Sequence, residues 1–376
     1  MSARESQDST DRSPATAATA RQSGPWTVRA LLAWMTPFLK ERSIDSPRMV
    51  AEILLGAVLD VERLRLYMEP DRELDPSELA RLRELVGRAA RHEPVQFLVG
   101  RWPFLGRDFE VEPCTLIPRP CTELLVERAL AWFREREAGG LNVLDLCTGS
   151  GCIGVTLALG LRAINRPVGG GCAPLRATDA SNESSHHATQ PALALEQSAS
   201  ARWQHGEGDA ALESPPRAHS PGVSALPAQI RVVATDIIPQ AVALARRNAE
   251  RLGATVEFHV GDLYEALPID ACNEQFDLIV ANPPYVTDAE YAELDKNVRE
   301  YEPASALRGG VDGLDCVRRV IDGAAARLAP HGVLLVEIGW KHADAVRVLV
   351  NGNAWGAVTV LSDGDGHPRL LEAHRA

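Results

Sequence analysis

The residues of this chain best suited to chemistry form the tetrapeptide Asn282-Pro283-Pro284-Tyr285, which directly follows the apolar run Phe276–Ala281. Two prolines after a strand end it and fix a rigid, extended loop. In such a loop the side-chain oxygen of Asn282 and the carbonyl of Pro283 can each accept one N–H of a planar –NH2 group. An amide nitrogen is a poor nucleophile, because its lone pair is delocalised into the carbonyl. Two acceptors that favour the pyramidal form and stabilise the growing positive charge therefore predict methyl transfer to such a nitrogen.

The tetrapeptide predicts the chemistry of the acceptor and leaves its identity open. Adenine, cytosine and glutamine all present a planar –NH2 group, and Tyr285 can cover the flat face of any of them. A rigid turn without a chemical role is the alternative interpretation of the two prolines. The position of the loop, after a strand of a parallel sheet, favours the chemical role because ligands of such sheets bind there.

A glycine-containing loop is the second feature that can do chemistry. Between an apolar run and a helical pattern lie Cys147, Thr148, Gly149, Ser150 and Gly151. Glycines allow the backbone to approach a ligand closely, and the N–H groups at the start of the following helix face that ligand. With a third glycine three residues later, the loop also fits the pattern G-x-G-x-x-G. An oxidoreductase that binds a nicotinamide or flavin dinucleotide is therefore an alternative.

Two aspartates favour S-adenosylmethionine over a dinucleotide as the ligand of this loop. Asp145 lies inside the end of the run Leu141–Leu146, where it can orient the loop and the cationic amino end of the ligand. The same carboxylate would repel a pyrophosphate. Asp236 ends a second apolar run, where a carboxylate can accept both hydroxyls of a ribose. Structural roles are the alternatives: hydrogen bonds from loop amides to Asp145, and a helix N-cap for Asp236.

These features need an element that brings them together, and the sequence predicts a sheet. After Gly140, short apolar runs alternate with helical patterns. The runs cover Leu141–Leu146, 230–234, 256–260, Phe276–Ala281 and 332–338. Strands that alternate with helices form a mostly parallel sheet with helices on both faces. We therefore expect an α/β fold whose carboxyl edge carries both motifs.

The residues before this sheet predict a small helical domain and a linker. Between 25 and 100, apolar residues recur at helical spacing. Within this stretch Asp75 and Pro76 supply an N-cap and a proline at the first position of a helix. Residues 101–118 alternate apolar and polar side chains between turn formers. This pattern predicts a hairpin that links the helical domain to the sheet domain at 119–376.

Two stretches lack the pattern of a folded core. Residues 1–24 are rich in Ser, Thr, Ala and Arg, and residues from about 167 to 229 are dominated by Ala, Ser, Pro, Gly, His and Gln. Such segments bury too little apolar surface to offset their ordering entropy. We expect a disordered tail and a disordered insertion in a surface loop of the sheet domain.

Composition narrows the class of partner. The net charge of -12 argues against a protein that holds nucleic acid through its phosphates. The chain has no apolar run of the roughly 20 residues that cross a bilayer, so we expect no membrane association. Its seven cysteines include no C-x-x-C pair, and its histidines lack metal-ligand spacing. These patterns predict no metal site and no disulfide framework, and they fit a reducing cytoplasm.

Four further segments accompany the two motifs: 93–100, 116–123, 301–303 and 312–315. With them the chain resembles the HemK/PrmC family, whose members methylate the side-chain nitrogen of the glutamine in the Gly-Gly-Gln loop of class I peptide chain release factors. The resemblance covers nearly all of the chain outside the tail and the insertion. It implies a Rossmann-like class I methyltransferase with a mostly parallel seven-stranded sheet and a small N-terminal helical domain that recognises the substrate.

The resemblance also implies roles for individual residues. S-adenosylmethionine would be bound by the loop from Cys147 to Gly151, by Asp236, and by Leu263, which would border the adenine. The tetrapeptide from Asn282 to Tyr285 would hold the glutamine, with Asn282 also next to the cofactor. The partner implied is a class I release factor.

The chain departs from the family pattern at two places. Cys121 stands where the family usually has Asp, which puts a polar role of that position in doubt. The long insertion at 167–229 is also atypical, although we expect it to leave the site intact.

The sequence leaves several alternative functions open. A related enzyme that methylates a glutamine of a large-subunit ribosomal protein has the same sequence at 144–153. The sequence Ile-Pro-Arg-Pro at 117–120 instead favours the release-factor enzyme. A DNA adenine methyltransferase would need a basic cleft and a domain that reads its target. A dinucleotide oxidoreductase or a binding module without catalysis leaves the residues from Asn282 to Tyr285 unexplained.

Overall fold

The computed structural model describes residues 25–136, 140–164, 229–268, 275–352 and 354–376. The expected tail at 1–24 lies outside the described residues, as does the expected insertion up to 228. The chain divides into two compact units, Met1–Val99 and Gly100–Ala376.

The first unit is helical, as the apolar spacing predicted. Its helices are α1 (Val28–Lys40), α2 (Pro47–Leu59), α3 (Arg63–Met68), α4 (Pro76–Ala89) and α5 (Val95–Val99). The predicted start of α4 is confirmed, because the Asp75 side chain accepts hydrogen bonds from the backbone N–H groups of Ser77 and Glu78. The Glu78 side chain in turn accepts the N–H of Asp75, which completes a capping box.

The second unit begins with the predicted hairpin, which is shorter than expected. Strands β1 (Arg101–Phe104) and β2 (Arg107–Glu110) pair antiparallel. The expected extension to 118 is wrong, because the pairing ends at Glu110. Pro113 has no N–H for a ladder, and the N–H of Thr115 closes a turn onto the carbonyl of Glu112 at 3.1 Å. Residues 111–119 therefore run as an irregular loop.

A seven-stranded sheet forms the centre of the second unit. Its strands are β3 (Leu141–Leu146), β4 (Ile230–Asp236), β5 (Glu257–Val260), β6 (Phe276–Ala281), β7 (Leu328–Glu337), β8 (Trp355–Ser362) and β9 (Pro368–Arg375). Their order in the sheet is β5-β4-β3-β6-β7-β9-β8. The strands from β3 to β7 are parallel, and β9 runs antiparallel to both of its neighbours. The expected fold class, a mostly parallel Rossmann-like sheet with a helical N-terminal domain, is confirmed.

The helices of the second unit are α6 (Pro120–Arg134), α7 (Cys152–Ile164), α8 (Pro239–Leu252), α9 (Asp288–Glu293), α10 (Lys296–Arg299), α11 (Asp315–Arg327) and α12 (Ala343–Leu349). The longer helices and α12 pack on the two faces of the sheet, whereas α9 and α10 are short and bury no residue. Alternate strand residues divide between two cores: Val143 packs with α6, α7 and α8, and Leu144 packs with α11 and α12. In the described part of the chain, no helix combines the length and the apolarity that a bilayer crossing needs.

Strand register brings the chemically interesting residues to one edge. Leu146 of β3 lies opposite Thr235 of β4 and Ala281 of β6. Ala281 lies opposite Val336 of β7. The next residue along each strand therefore emerges at the carboxyl edge, which places Cys147, Asp236, Asn282 and Glu337 there.

The hairpin is held to this edge by one buried amide, that of Asn248 on α8. Its side-chain oxygen accepts the N–H of Glu110 at 2.8 Å, and its nitrogen donates to the carbonyls of Glu110 at 3.0 Å and Ser150 at 2.9 Å. Because Asn248 is fully buried, these backbone groups have no water to replace it. The amide thus joins the hairpin to the glycine loop.

Asn248→Ala should lower the free energy of unfolding by about 2–4 kcal/mol, because three buried hydrogen bonds are lost together. The control is Arg247→Ala, which removes exposed ion pairs to Glu110 on the same hairpin and to Glu112 in the loop after it. That change should cost less than about 1 kcal/mol. Urea unfolding followed by circular dichroism measures both. Equal losses for the two variants would contradict a structural role for the buried amide.

Candidate active site

A cavity of about 350 Å³ opens at the carboxyl edge of the sheet. Its wall contains most of the residues expected from the sequence to bind a ligand, namely Cys147, Thr148, Gly149, Ser150, Asp236, Leu263, Asn282 and Pro284. The structure therefore brings the glycine loop, the aspartate after β4 and the tetrapeptide after β6 around one space. The expected residues outside this wall are Asp145, Gly151, Pro283 and Tyr285.

The backbone of the glycine loop is bent sharply around the cavity. Cys147, Gly149 and Gly151 have positive φ angles of 59°, 54° and 82°. A side chain at Gly151 would also approach the Cβ of Ala245 to 3.0 Å, so this position requires glycine for packing as well as for conformation. The N–H of Thr148 donates to the carbonyl of Thr235 at 3.0 Å, which ties the loop to β4.

Asp236 fastens the same loop from the side. Its carboxylate accepts the N–H of Gly149 at 2.8 Å and the N–H of Ile238 at 2.9 Å. The N-cap residue of α8 is Ile238, so Asp236 does not cap that helix. Burial raises the pKa of Asp236, and the two N–H donors oppose this shift. The carboxylate thus lies in the cavity wall with its position fixed by backbone groups.

Asp145 lies beneath the loop and is fully buried. One of its oxygens accepts the hydroxyl of Thr148 at 2.6 Å and the N–H of Gly154 at 2.9 Å. The other oxygen has no hydrogen-bond partner among the described residues. Burial raises the pKa of Asp145 to about 7, because the charged form is poorly solvated there. These bonds tie β3 to the loop and to α7, while contact with a ligand stays a prediction.

The side of the cavity expected to receive the adenine contains Leu263 and two thiols. Leu263 is buried and has a positive φ of 47°. Cys147 and Cys316 both line the cavity. The neighbouring Cys316 thiol, together with burial, raises the pKa of Cys147. The sequence did not single out Cys316, which follows the segment 312–315.

Asn282 lines the cavity and is anchored there by Thr122, which lines the same cavity. Its side-chain nitrogen donates to the hydroxyl of Thr122 at 3.1 Å, and that hydroxyl donates to the buried carboxylate of Glu337 at 2.6 Å. Tyr285, which was expected to cover the acceptor, donates its own hydroxyl to Glu337 at 3.1 Å. Sequence reasoning missed Thr122 and Glu337 as site residues. An acid that ends the apolar run of β7 is the signal that could have found Glu337, by the argument used for Asp236.

The sequence of this chain is similar to that of known proteins. Residues 30–100 match the model of the PrmC N-terminal domain, and residues 222–299 match that of the methyltransferase small domain. The release factor glutamine methyltransferase of Geobacter sulfurreducens is 35% identical over 92% of this chain and 96% of its own length. The enzymes of the same name from Koribacter versatilis and Bacillus subtilis are 34% and 31% identical, over 89% and 92% of this chain and 93% and 96% of their own lengths.

The chain belongs to the release factor glutamine methyltransferase family. The predicted family and the predicted class of enzyme, a methyltransferase, are thereby confirmed.

In this methyltransferase, a further buried acid connects two of the segments that carried the resemblance. Glu302 accepts the N–H of Ile117 at 3.0 Å and a hydrogen bond from the guanidinium of Arg119. The carboxylate is almost fully buried, so both donors are needed to offset its desolvation. Segment 301–303 therefore fixes the loop at 116–119, which forms part of the cavity wall.

Asp236→Ala should weaken the binding of S-adenosylmethionine to this methyltransferase by roughly 1–3 kcal/mol, because the ribose hydroxyls lose a charged acceptor. Isothermal titration calorimetry measures the dissociation constant. Asp277→Ala is the matched control, since Asp277 lies at the amino end of β6 and accepts the N–H of Asn142 there. If Asp236→Ala leaves the dissociation constant unchanged, the ribose role is wrong.

Asp145→Asn should remove a pH dependence of the methyltransferase's stability. In the unfolded chain the carboxyl ionises near pH 4, whereas in the folded chain it keeps its proton up to about pH 7. The unfolded state therefore releases the proton first, and this group destabilises the fold progressively as pH rises from about 4 to 7, by up to about 4 kcal/mol. Urea titrations across this range test the difference between wild type and variant. A difference that does not change with pH would show that Asp145 titrates normally.

Proposed function

We propose that this protein transfers a methyl group from S-adenosylmethionine to the side-chain amide nitrogen of the glutamine in the Gly-Gly-Gln motif of class I peptide chain release factors. The relatives described above carry the name of this activity. The observation that carries the proposal is the orientation of Asn282 in the cavity wall. Its nitrogen is occupied by Thr122, so its oxygen is available to accept an N–H from a substrate.

The cavity suits the methyl donor. Asp236 offers an acidic acceptor for ribose hydroxyls, Leu263 an apolar surface for adenine, and Gly149 a backbone that a ligand can approach closely. S-adenosylmethionine, when bound, supplies an electrophilic methyl group on a sulfonium. The role of the chain is to hold the acceptor nitrogen against it in line.

The tetrapeptide supplies the positioning. We infer that the oxygen of Asn282 and the carbonyl of Pro283 each accept one N–H of the glutamine amide. These bonds favour a pyramidal nitrogen and stabilise the positive charge that grows on it, so they strengthen as the reaction proceeds. The cation that forms is a far stronger acid than the amide, so proton loss needs no strong base. The two prolines restrict the loop backbone, so little conformational entropy is lost in holding both acceptors in place.

Release factors are favoured over the other acceptors. The relatives described above are named for release factors, and the N-terminal unit matches a PrmC N-terminal domain. A glutamine of a ribosomal protein is the second candidate, because the chemistry is the same. DNA fits less well, since the net charge of -12 disfavours a polyanion. Either protein substrate places the enzyme in the cytoplasm with the translation machinery.

Asn282→Ala should reduce methyl transfer to a release factor by roughly a hundredfold, the usual loss for one preorganised group that stabilises charge. Asn282→Asp keeps an acceptor but adds a charge that can pair with the sulfonium. Its rate should therefore lie between the rates of the wild type and of Asn282→Ala. Single-turnover transfer from labelled S-adenosylmethionine, with mass spectrometry of the product, measures both the rate and the methylated residue.

Two results would contradict the proposal in different ways. Transfer by Asn282→Ala at the wild-type rate would remove the mechanism. A methyl group found only on ribosomal protein or DNA would remove the release factor as substrate and keep the chemistry.

A further inference from the structure

The network around Asn282 continues away from the cavity to a buried carboxylate. Glu337, at the end of β7, is 1% exposed. It accepts hydrogen bonds from the Thr122 hydroxyl at 2.6 Å, from the Tyr285 hydroxyl at 3.1 Å and from the Cys121 thiol at 3.6 Å. The donors come from the first turn of α6 and from the tetrapeptide. One carboxylate therefore collects donors from two elements of the active site.

The bond between Thr122 and Glu337 determines which way the amide of Asn282 faces. A hydroxyl has a single proton. Because Thr122 gives that proton to the carboxylate, it can only accept from Asn282. The side-chain nitrogen of Asn282 must then face Thr122, as observed at 3.1 Å, and the oxygen must face away from it.

The opposite orientation of the amide would work against the chemistry. A rotated Asn282 presents two N–H donors to the acceptor nitrogen, which itself brings N–H donors and becomes positive. The two orientations have nearly the same shape, so packing alone discriminates poorly between them. Hydrogen bonding to a fixed acceptor is what separates them.

The groups that contact Glu337 remain hydrogen-bond donors. Burial raises the pKa of Cys121 to about 12 and also raises the pKa of Tyr285, so both remain protonated donors. Burial likewise raises the pKa of Glu337, but the bonds from Thr122 and Tyr285 and the charge of Arg369 on β9 oppose this shift. Cys121 presents a thiol to Glu337 rather than a second carboxylate.

We propose that Glu337 is a positioning residue that acts through Thr122 to hold the amide oxygen of Asn282 towards the acceptor nitrogen. The inference rests on the proposed function, in which that oxygen accepts an N–H of the substrate. Neither Glu337 nor Thr122 needs to touch the substrate for this role.

Thr122→Val tests the relay because it keeps the shape of the side chain and removes the hydroxyl. We expect kcat for methyl transfer to fall by about tenfold to a hundredfold. Because Thr122 also lines the cavity, the dissociation constant of S-adenosylmethionine is measured separately, and it should change far less than kcat. Thr122→Ser, which restores a hydroxyl, should recover most of the lost rate. Glu337→Gln should also lower kcat, because its amide can donate to Thr122 and reverse the relay.

A double-mutant cycle distinguishes the relay from a general structural role. If Thr122 acts through Asn282, then Thr122→Val should have no further effect on the rate in the Asn282→Ala background. Multiplied losses in the double variant would overturn the inference, and so would a Thr122→Val variant with wild-type kcat.

The same assay separates this inference from the proposed function. Wild-type protein is tested with a release factor and with ribosomal protein as acceptors. Transfer only to ribosomal protein overturns the release-factor substrate, and the cycle measured on that acceptor still decides the relay. If the release factor is methylated but the losses of rate in the two single variants multiply in the double variant, only the relay is overturned. Transfer to neither acceptor overturns both.

Discussion

The register of the central parallel strands is the constraint on which the active site depends. Leu146 is paired with Ala281, and Ala281 with Val336, so the residues that follow them all lie at the carboxyl edge of the sheet. A slip of one residue between β6 and β7 would turn Asn282 and Glu337 to opposite faces. The network of hydrogen bonds from Asn282 to Glu337 therefore presupposes the apolar pairing of the strands that precede it.

The strands were predictable where burial on both faces leaves an unbroken apolar run. The observed β3 and β6 coincide with the runs Leu141–Leu146 and Phe276–Ala281. The partners of the site residues were not predictable in the same way. Thr122 and Glu337 are 215 positions apart, and no local pattern indicates that they meet. The positions of β8 and β9 were also missed. β8 is partly exposed, and the buried centre of β9 is only four residues long and includes Glu372, so neither strand gives an unbroken apolar run.

The site is built at some expense to the stability of the fold. Asp145 and Glu337 are buried acids at the ends of two central strands, and burial raises the pKa of both. Cys147 and Leu263 hold left-handed backbone conformations that side chains disfavour. These features cluster around the cavity and would be removed by selection for stability alone. Each fixes a group whose position the proposed chemistry requires.

The direction of the strands also gives the sheet a carboxyl edge, which carries the cavity, and an amino edge on the opposite side. Helix α7 carries the chain away from the glycine loop and ends at Ile164, and β4 begins at Ile230, which is paired with the first residue of β3. The connection between these two residues thus starts and finishes at the amino edge, opposite the cavity. Loop length there carries only a weak, logarithmic cost in closure entropy. A change in chain length at that edge can therefore leave the spacing of the residues around the cavity unchanged.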